Sequence, residues 1–364
     1  GTVSGRERVA RPLTRGVAGG AALVLGLLAG ASGCRVELGS PGAEARGAGA
    51  CGGPPAGELW IYASVYQHVV DDLDKLLRQR LPGVEPRWFT GGSEKVIQRL
   101  DAELSAGGSR ADLLLISDPF YFERLGQEGK LLPYVPPRAL RVPRDLVGAD
   151  GAWLTSRAAV MVLVYNTRLL DEARAPKGLR ALVDPAWKGK LIMGDPLASG
   201  TFFTTIAVLH DAFGEAYFHG LRANQITSTG GNSAVIERVA SGEYAAGMVL
   251  LENVLTSQRK GAPLGFVIPE EGAIVIPGPS AILAGSHNPV AAKAAMDVVY
   301  SEEGQALMVR GDMYAADPSQ PPPAGAPPWP VVSTGTLAWG LERLHRIGPR
   351  TGQLRADFHR IVQQ

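Results

Sequence analysis

The chain predicts an α/β protein in two lobes, each built on a doubly wound sheet. Three observations carry this expectation. Short β-rich runs alternate with segments of helical periodicity, the pattern of a sheet wound with helices on its faces. The run Asp112-Leu-Leu-Leu-Ile116 is apolar at its centre and across both faces, as buried parallel strands are. A chain of 364 residues also has room for more than one core.

Hydrophobic residues at 45% and charged residues at 20% place the bulk of the chain in the globular range. A formal charge of +1 gives no reason to expect a nucleic-acid partner. Two cysteines are too few for a disulfide scaffold or a cysteine-rich metal site.

Residues 1–33 read as a signal peptide. Arg6, Arg8, Arg11 and Arg15 form a basic region, and Gly16 to Gly30 is apolar but short for a membrane span. Ala31-Ser32-Gly33 offers small residues for cleavage, and Cys34 directly after them resembles the lipidated cysteine of bacterial lipoproteins. An ordinary signal peptide and an uncleaved helix are the other readings. Residues 34–58, rich in Gly, Ala and Pro, form a flexible tether. Cys51 lies within it and pairs with Cys34 only if Cys34 carries no lipid.

Leu59 to Ala63 begins the sheet and Ser64 ends the strand. Gln67 to Leu81 is an amphipathic helix, Val84 to Phe89 the next strand, and Asp112 to Ile116 the third, with Ser117 and Asp118 at its carboxyl end. Ala158 to Tyr165 is a long apolar strand stopping at Asn166. Ala245 to Leu251 is expected to be the last core strand of the second lobe, Ala273 to Pro277 a return strand, and Pro289 to Val309 one helix. A Pro-rich stretch from Ser319 to Pro330 cannot be regular. Leu337 to Gln364 is helical by its apolar spacing.

Three loops stand out. Thr90-Gly91-Gly92-Ser93 precedes Val96, Ile97, Leu100 and Leu104 at helical spacing. Asp195-Pro196, then Ser199-Gly200-Thr201, precedes the apolar run Phe202 to Leu209, and Thr229-Gly230-Gly231-Asn232-Ser233 precedes Val235, Ile236 and Val239. Ser and Thr hydroxyls commonly accept the first free helix N–H groups. A strand feeding such a helix also aims free N–H groups and a positive dipole end at one place, which suits an anion. Gly200 is expected to let backbone approach the ligand. Three ordinary helix caps would give the same pattern with no ligand. His68 stands near this face without a partner, and Asp101 and Glu103 are expected to be solvated.

With these loops, Asp184-Pro185 and Trp187-Lys188-Gly189-Lys190, Gly242-Glu243, Pro269-Glu-Glu-Gly272 and Ser301-Glu-Glu-Gly304-Gln305 follow in order. The series, running from about Leu59 to Asp317, resembles the bacterial extracellular solute-binding proteins of ABC importers, in the branch that binds ferric ion, phosphonates and sugar phosphates. The resemblance implies the type II periplasmic-binding fold, with a ligand cleft between lobes closed by a hinge. It implies residues 59–157 plus 271–364 as the first lobe, with the C-terminal tail docked on it. Residues 158–270 make the hinge crossing and second lobe.

No nucleotide loop, zinc-protease pair or hydrolase elbow is present, so no enzyme, catalytic residue, metal or cofactor is expected. The expected protein is a monomer that carries a small anion to ABC permease subunits from the periplasmic side of a bacterial membrane, lipid-anchored through Cys34. A sensory protein presenting its ligand to a receptor is the other role. The ferric binders carry two adjacent tyrosines after the strand that follows the Gly-Glu turn; here Glu252 and Asn253 stand in that place. The resemblance therefore favours a phosphonate such as 2-aminoethylphosphonate, or a sugar phosphate, over iron. The expected ligand residues are Ser64, Gly92, Ser93, Ser199, Gly200, Thr201, Gly231, Asn232, Ser233, Glu252 and Asn253. Cys34→Ser is expected to move the protein from the membrane fraction into the soluble periplasm; retention of the variant in the membrane would favour an uncleaved 16–33 helix.

Overall fold

The computed structural model describes residues 53–364, so the signal and tether readings, with Cys34 and Cys51, lie outside the described residues. In the first part of the chain β1 (Gly57–Ala63), α1 (Gln67–Arg80), β2 (Val84–Thr90), α2 (Ser93–Ser105), β3 (Leu113–Leu115), α3 (Pro119–Gln127) and β4 (Leu131–Leu132) follow one another. The long β5 (Leu154–Asn166) then leads to β6 (Leu191–Met193), α4 (Gly200–Phe213), α5 (Glu215–Ala223) and β7 (Thr227–Ser228). After these come α6 (Asn232–Ala240), β8 (Ala246–Leu250), α7 (Leu251–Arg259) and β9 (Leu264–Val267). A second long strand, β10 (Ile274–Leu283), returns the chain to α8 (Pro289–Val299), α9 (Glu302–Arg310) and β11 (Tyr314–Ala315). The tail holds α10 (Trp329–Val332), α11 (Leu341–Ile347) and α12 (Thr351–Phe358), with a π-helical turn at His359–Gln363.

The strand order is β2-β1-β3-β10-β5-β8-β6-β7. Its two ends are parallel triplets, β2-β1-β3 and β8-β6-β7, and its middle is the antiparallel pair β5/β10. The two doubly wound halves are thus joined through the two long strands that cross between them. Both crossing strands are buried along their whole length, which is why they read as continuous apolar runs.

Four expectations are corrected. β10 does not stop at Pro277 but continues to Leu283, because Pro277-Gly278-Pro279 is accommodated at an irregularity in the β5 pairing at Gly278/Pro279. Proline cannot donate to a ladder and sits in inner strands at such places. Pro289 to Val309 is two helices, since Ser301 takes an extended conformation and its hydroxyl caps α9 by accepting from the Gly304 N–H at 3.1 Å. β8 is followed by another strand of its half, β9, paired with β5. Glu103 is not simply solvated: its carboxylate accepts from the Tyr62 hydroxyl at 2.7 Å and from Ser109 at 2.5 Å.

The tail also departs from expectation. α11 and α12 pack on α4, and the π turn on α5, elements inside residues 158–270, so the tail belongs chiefly with the second half. Arg343 and Arg346 both reach Asp211 of α4, at 3.0 and 2.7 Å, and these guanidiniums hold its carboxyl below the usual range. This cover explains why α4 is apolar nearly all round: Phe202 to Leu209 is buried without a break. From this base Arg355 reaches back to Glu94 of α2 at 2.7 Å. Phe358 is fully buried, its ring edge-on to Phe218 at 5.2 Å. Phe358→Ala is expected to lower stability by about 3–5 kcal/mol, read by denaturant unfolding, despite its place near the chain end.

Candidate ligand-binding cleft

Parallel strands put their carboxyl ends on one side, and ligands of such sheets bind beyond those ends. β1 delivers Ser64 there, β2 the Gly91-Gly92 turn into α2, and β3 delivers Ser117. From the other half, β6 leads through Asp195 to Ser199 and α4, β7 through Thr229 to Gly231 and α6, and β8 directly into α7. Gly230, at φ +67°, makes the left-handed turn before α6 that a side chain would strain. Between these ends lies a cavity of about 390 Å³.

Ser64, Gly92, Ser93, Ser199, Thr201, Gly231, Asn232, Ser233 and Glu252 line it. Gly200 and Asn253 do not. Gly200 is buried against the other half: a Cβ there would lie 2.9 Å from the Ser93 Cβ and 3.1 Å from the Ser117 carbonyl oxygen. Its small size serves contact between halves, not approach of a ligand. Asn253 stands behind Glu252 and accepts a hydrogen bond from the Tyr66 hydroxyl at 2.8 Å. Of the pair at the β3 end, Ser117 lines the cavity, while Asp118 turns into the protein and caps α3 by accepting from the Tyr121 N–H at 3.0 Å. His68 lies outside this cavity, stacked on Tyr66 at 5.9 Å.

The helix starts at the cavity are left open. At Gly92, Ser199, Gly231 and Leu250 no side chain caps the helix N–H groups. The Ser199 hydroxyl, expected to cap α4, pairs instead with Thr201 Oγ1 at 3.1 Å. Side chains cap α3, α8 and α9, through Asp118, Asn288 and Ser301, while α1, α5, α10, α11 and α12 also start without a side-chain cap. Free N–H groups and positive dipole ends therefore collect at one place.

Sequence reasoning missed Arg157. It lies on β5, is 2% exposed, and lines the cavity floor. Its Nη2 donates to Ser117 Oγ at 2.8 Å, while its Nη1 has no hydrogen-bond partner. Gly278 makes the space: a Cβ there would stand 2.8–2.9 Å from the arginine side chain. Burial pulls the guanidinium down to about 10, so it remains charged at neutral pH. The signal was a single arginine entering the otherwise apolar Ala158 to Tyr165 run, flanked by Thr155 and Ser156.

Further hydroxyls line the same cavity. Ser64 Oγ accepts from Ser93 Oγ at 3.1 Å and from the Ser117 N–H at 2.9 Å. Asn232 donates to Thr201 Oγ1 at 3.1 Å and accepts from the Leu250 N–H at 3.2 Å. Tyr66, also missed, donates toward Glu252 at 3.5 Å as well as to Asn253. Burial lifts Glu252 to about 8, against the attraction of Arg157. Burial and the neighbouring Glu252 hold the Tyr66 phenol well above its ordinary value. At neutral pH the cleft therefore holds a charged guanidinium and a mostly neutral carboxyl, a net positive site.

Because Glu252 binds its proton more tightly folded than unfolded, its favourable contribution is complete below about pH 4.5 and is lost as pH rises to about 8. Glu252→Gln removes this dependence. The variant is expected to melt higher than the parent, by more at pH 8 than at pH 5, in thermal scans without ligand; equal shifts at both would contradict it.

Comparison with known proteins agrees with this architecture. A family model described as bacterial extracellular solute-binding protein matches residues 109–329, more than half of the chain. An uncharacterized protein of Haemophilus influenzae is 33% identical over 262 residues, 69% of this chain and 75% of its own length. The Fe(3+)-binding periplasmic protein of Serratia marcescens is 24% identical over 62% of this chain and 69% of its own. Among solved structures, iron-bound HitA from Pseudomonas aeruginosa superposes with a TM-score of 0.74 at 22% identity, over 84% of this chain and 99% of HitA. AfuA from Actinobacillus pleuropneumoniae, with exogenous fructose-6-phosphate bound, gives 0.69 at 23% identity, over 84% and 98%. The two structures share the two-lobed fold, and the family match spans strands of both halves of the sheet. On this evidence the chain belongs to the bacterial extracellular solute-binding proteins.

Proposed function

We propose that this protein captures a small anion carrying a phosphoryl or phosphonyl group and passes it to the permease of an ABC importer. The observation that carries this reading is the buried Arg157, which lines a cavity ringed by uncapped helix starts and keeps one guanidinium nitrogen, Nη1, without a partner. A buried cation with an open donor is costly unless an acceptor meets it. An oxyanion supplies several acceptors at once, to the guanidinium, the backbone N–H groups and the hydroxyls of Ser64, Ser93 and Thr201. Residues 59–157 with the strands after 271 would act as one lobe and 158–270 as the other, hinged at the β5/β10 crossing. Anchoring through a lipid on Cys34 would hold the protein at the periplasmic side of the membrane.

Some relatives are named for iron, and AfuA for a sugar phosphate. Iron needs phenolates, and Tyr66 is the one tyrosine on this cavity among the described residues. Its raised pKa opposes ionisation, and Glu252 and Asn253 stand where the ferric pattern has tyrosines. Titration with ferric citrate is expected to leave the protein colourless.

Glu252 would meet the other end of the ligand, as a carboxylate against an ammonium or as a neutral acid against a hydroxyl. Thermal shift tests the reading directly. A phosphonate or sugar phosphate at about a hundred times its dissociation constant should add about 2.7 kcal/mol of stability. Arg157→Gln should cost about 1.5–3 kcal/mol of that binding, and an unchanged shift would overturn the site. Binding of 2-aminoethylphosphonate should tighten as pH rises through the Glu252 value of about 8, while that of fructose 6-phosphate should weaken.

A further inference from the structure

Beside the main cavity lies a second one, of about 310 Å³, and the two share three residues, Tyr66, Ser233 and Glu252. Tyr66 belongs to the loop between β1 and α1, while Ser233 and Glu252 come from α6 and α7 of the opposite half. The tyrosine ring is fixed from two sides. Its hydroxyl is bonded to Asn253 at 2.8 Å, and His68 stacks on the ring at 5.9 Å with 19° between the planes. His68 and Asn253 line the second cavity but not the first. Tyr66 thus lies on the boundary the two spaces share, with Ser233 and Glu252.

The space on the far side mixes apolar surface, Ile236 included, with polar groups. Glu237, Thr256, Ser257 and Lys260 line it along one flank, with His68 opposite. Groups of both charge signs and several hydroxyls suit a neutral, hydroxyl-bearing chain. The near space holds Arg157, and at about 390 Å³ it sits near the small end of the range of about 300–1,000 Å³ usual for ligand sites.

We infer that Tyr66 is a specificity-determining residue, a partition that confines the ligand to the arginine side of the cleft and so admits compact anions over long hydroxylated ones. The inference rests on the phosphoryl reading for the head group but concerns ligand length. It narrows the ligand to one that places its anionic group on Arg157 and ends, within a few atoms, at Glu252. Removing the ring would join the two spaces into one channel between α1 and α7.

The test compares a short and a long anion in each of two pairs, one pair headed by a phosphonyl or phosphoryl group and the other by a carboxylate. Calorimetry would measure 2-aminoethylphosphonate against fructose 6-phosphate, and β-alanine against gluconate, on the parent and on Tyr66→Ala, Tyr66→Leu and Tyr66→Phe. The parent should prefer the short member. Tyr66→Ala should move the ratio toward the long member by on the order of tenfold to a hundredfold, the scale at which pocket size discriminates. Tyr66→Leu, which keeps apolar bulk at a position packed on the first-half core, should move it the same way and guards against a misfolded alanine variant. Tyr66→Phe keeps the wall, so it should weaken both members alike and leave the ratio in place. An unchanged ratio in the alanine and leucine variants, or an equal change in phenylalanine, would overturn the partition. Binding of the carboxylate pair alone would overturn the phosphoryl reading while still deciding the partition. No binding of any of the four, to parent or variants, would overturn both.

Discussion

A guanidinium placed on a central sheet strand, away from water, is the constraint around which this cleft is arranged. Removing a charge from water costs several kcal/mol even after relaxation, and the cost falls only when oppositely charged or hydrogen-bonding groups are fixed nearby. Arg157 has Ser117 on one nitrogen and the field of Glu252 across the cavity. Neither satisfies Nη1. The same burial that pulls the arginine down raises the glutamate, so the pair does not neutralise itself inside the cleft. Space for the side chain comes from Gly278, between two prolines, at an irregularity in the partner strand. The break in the β5/β10 ladder and the chemistry of the cleft thus have a common origin.

Besides that ladder, polar pairs link the two halves. Tyr66 reaches Asn253, Asp312 receives Thr256 and Arg259, and Arg355 reaches Glu94. Asn253, Thr256 and Arg259 lie at near-helical spacing on α7, so one face of this short helix makes much of the seam. Gly200 meets Ser93 where the α4 and α2 starts come together, leaving no room for a side chain on Gly200. Polar pairs near a surface are individually worth about 1 kcal/mol or less. Apolar contact joins the halves as well, with Phe120 of α3 edge-on to Phe203 of α4 at 5.8 Å within one continuous buried cluster.

Arg355 gives the tail a part in this. Its guanidinium sits 3.8 Å from the Phe203 ring, donates to the Pro196 carbonyl oxygen at 3.2 Å, and holds Glu94 in the first turn of α2. The tail is anchored on α4 and α5 through Asp211 and Phe218, and Arg355 carries it across to the other half together with Trp339, which donates to the Asp145 carbonyl at 3.1 Å, and His345 beside Glu123 at 3.3 Å.

What the amino-acid order determined by itself was local: the strands and helices, the buried parallel runs, the three Gly/Ser/Thr/Asn turns, and through strand direction the side of the sheet on which they gather. Period and turn chemistry act within a few residues, so they can be read without the fold. Tertiary structure decided which of those turn residues face the cavity. Gly200 and Asn253 share their local pattern with neighbours that do line it, and only the approach of the other half turned them away. It also decided the charge of the site, since Arg157 joins Ser117 and Glu252 across 40 and 95 residues of sequence. A lone arginine beside an apolar run marks the strand for attention, but its lost hydration and missing partner exist only once Gly278 and the opposite half are folded around it.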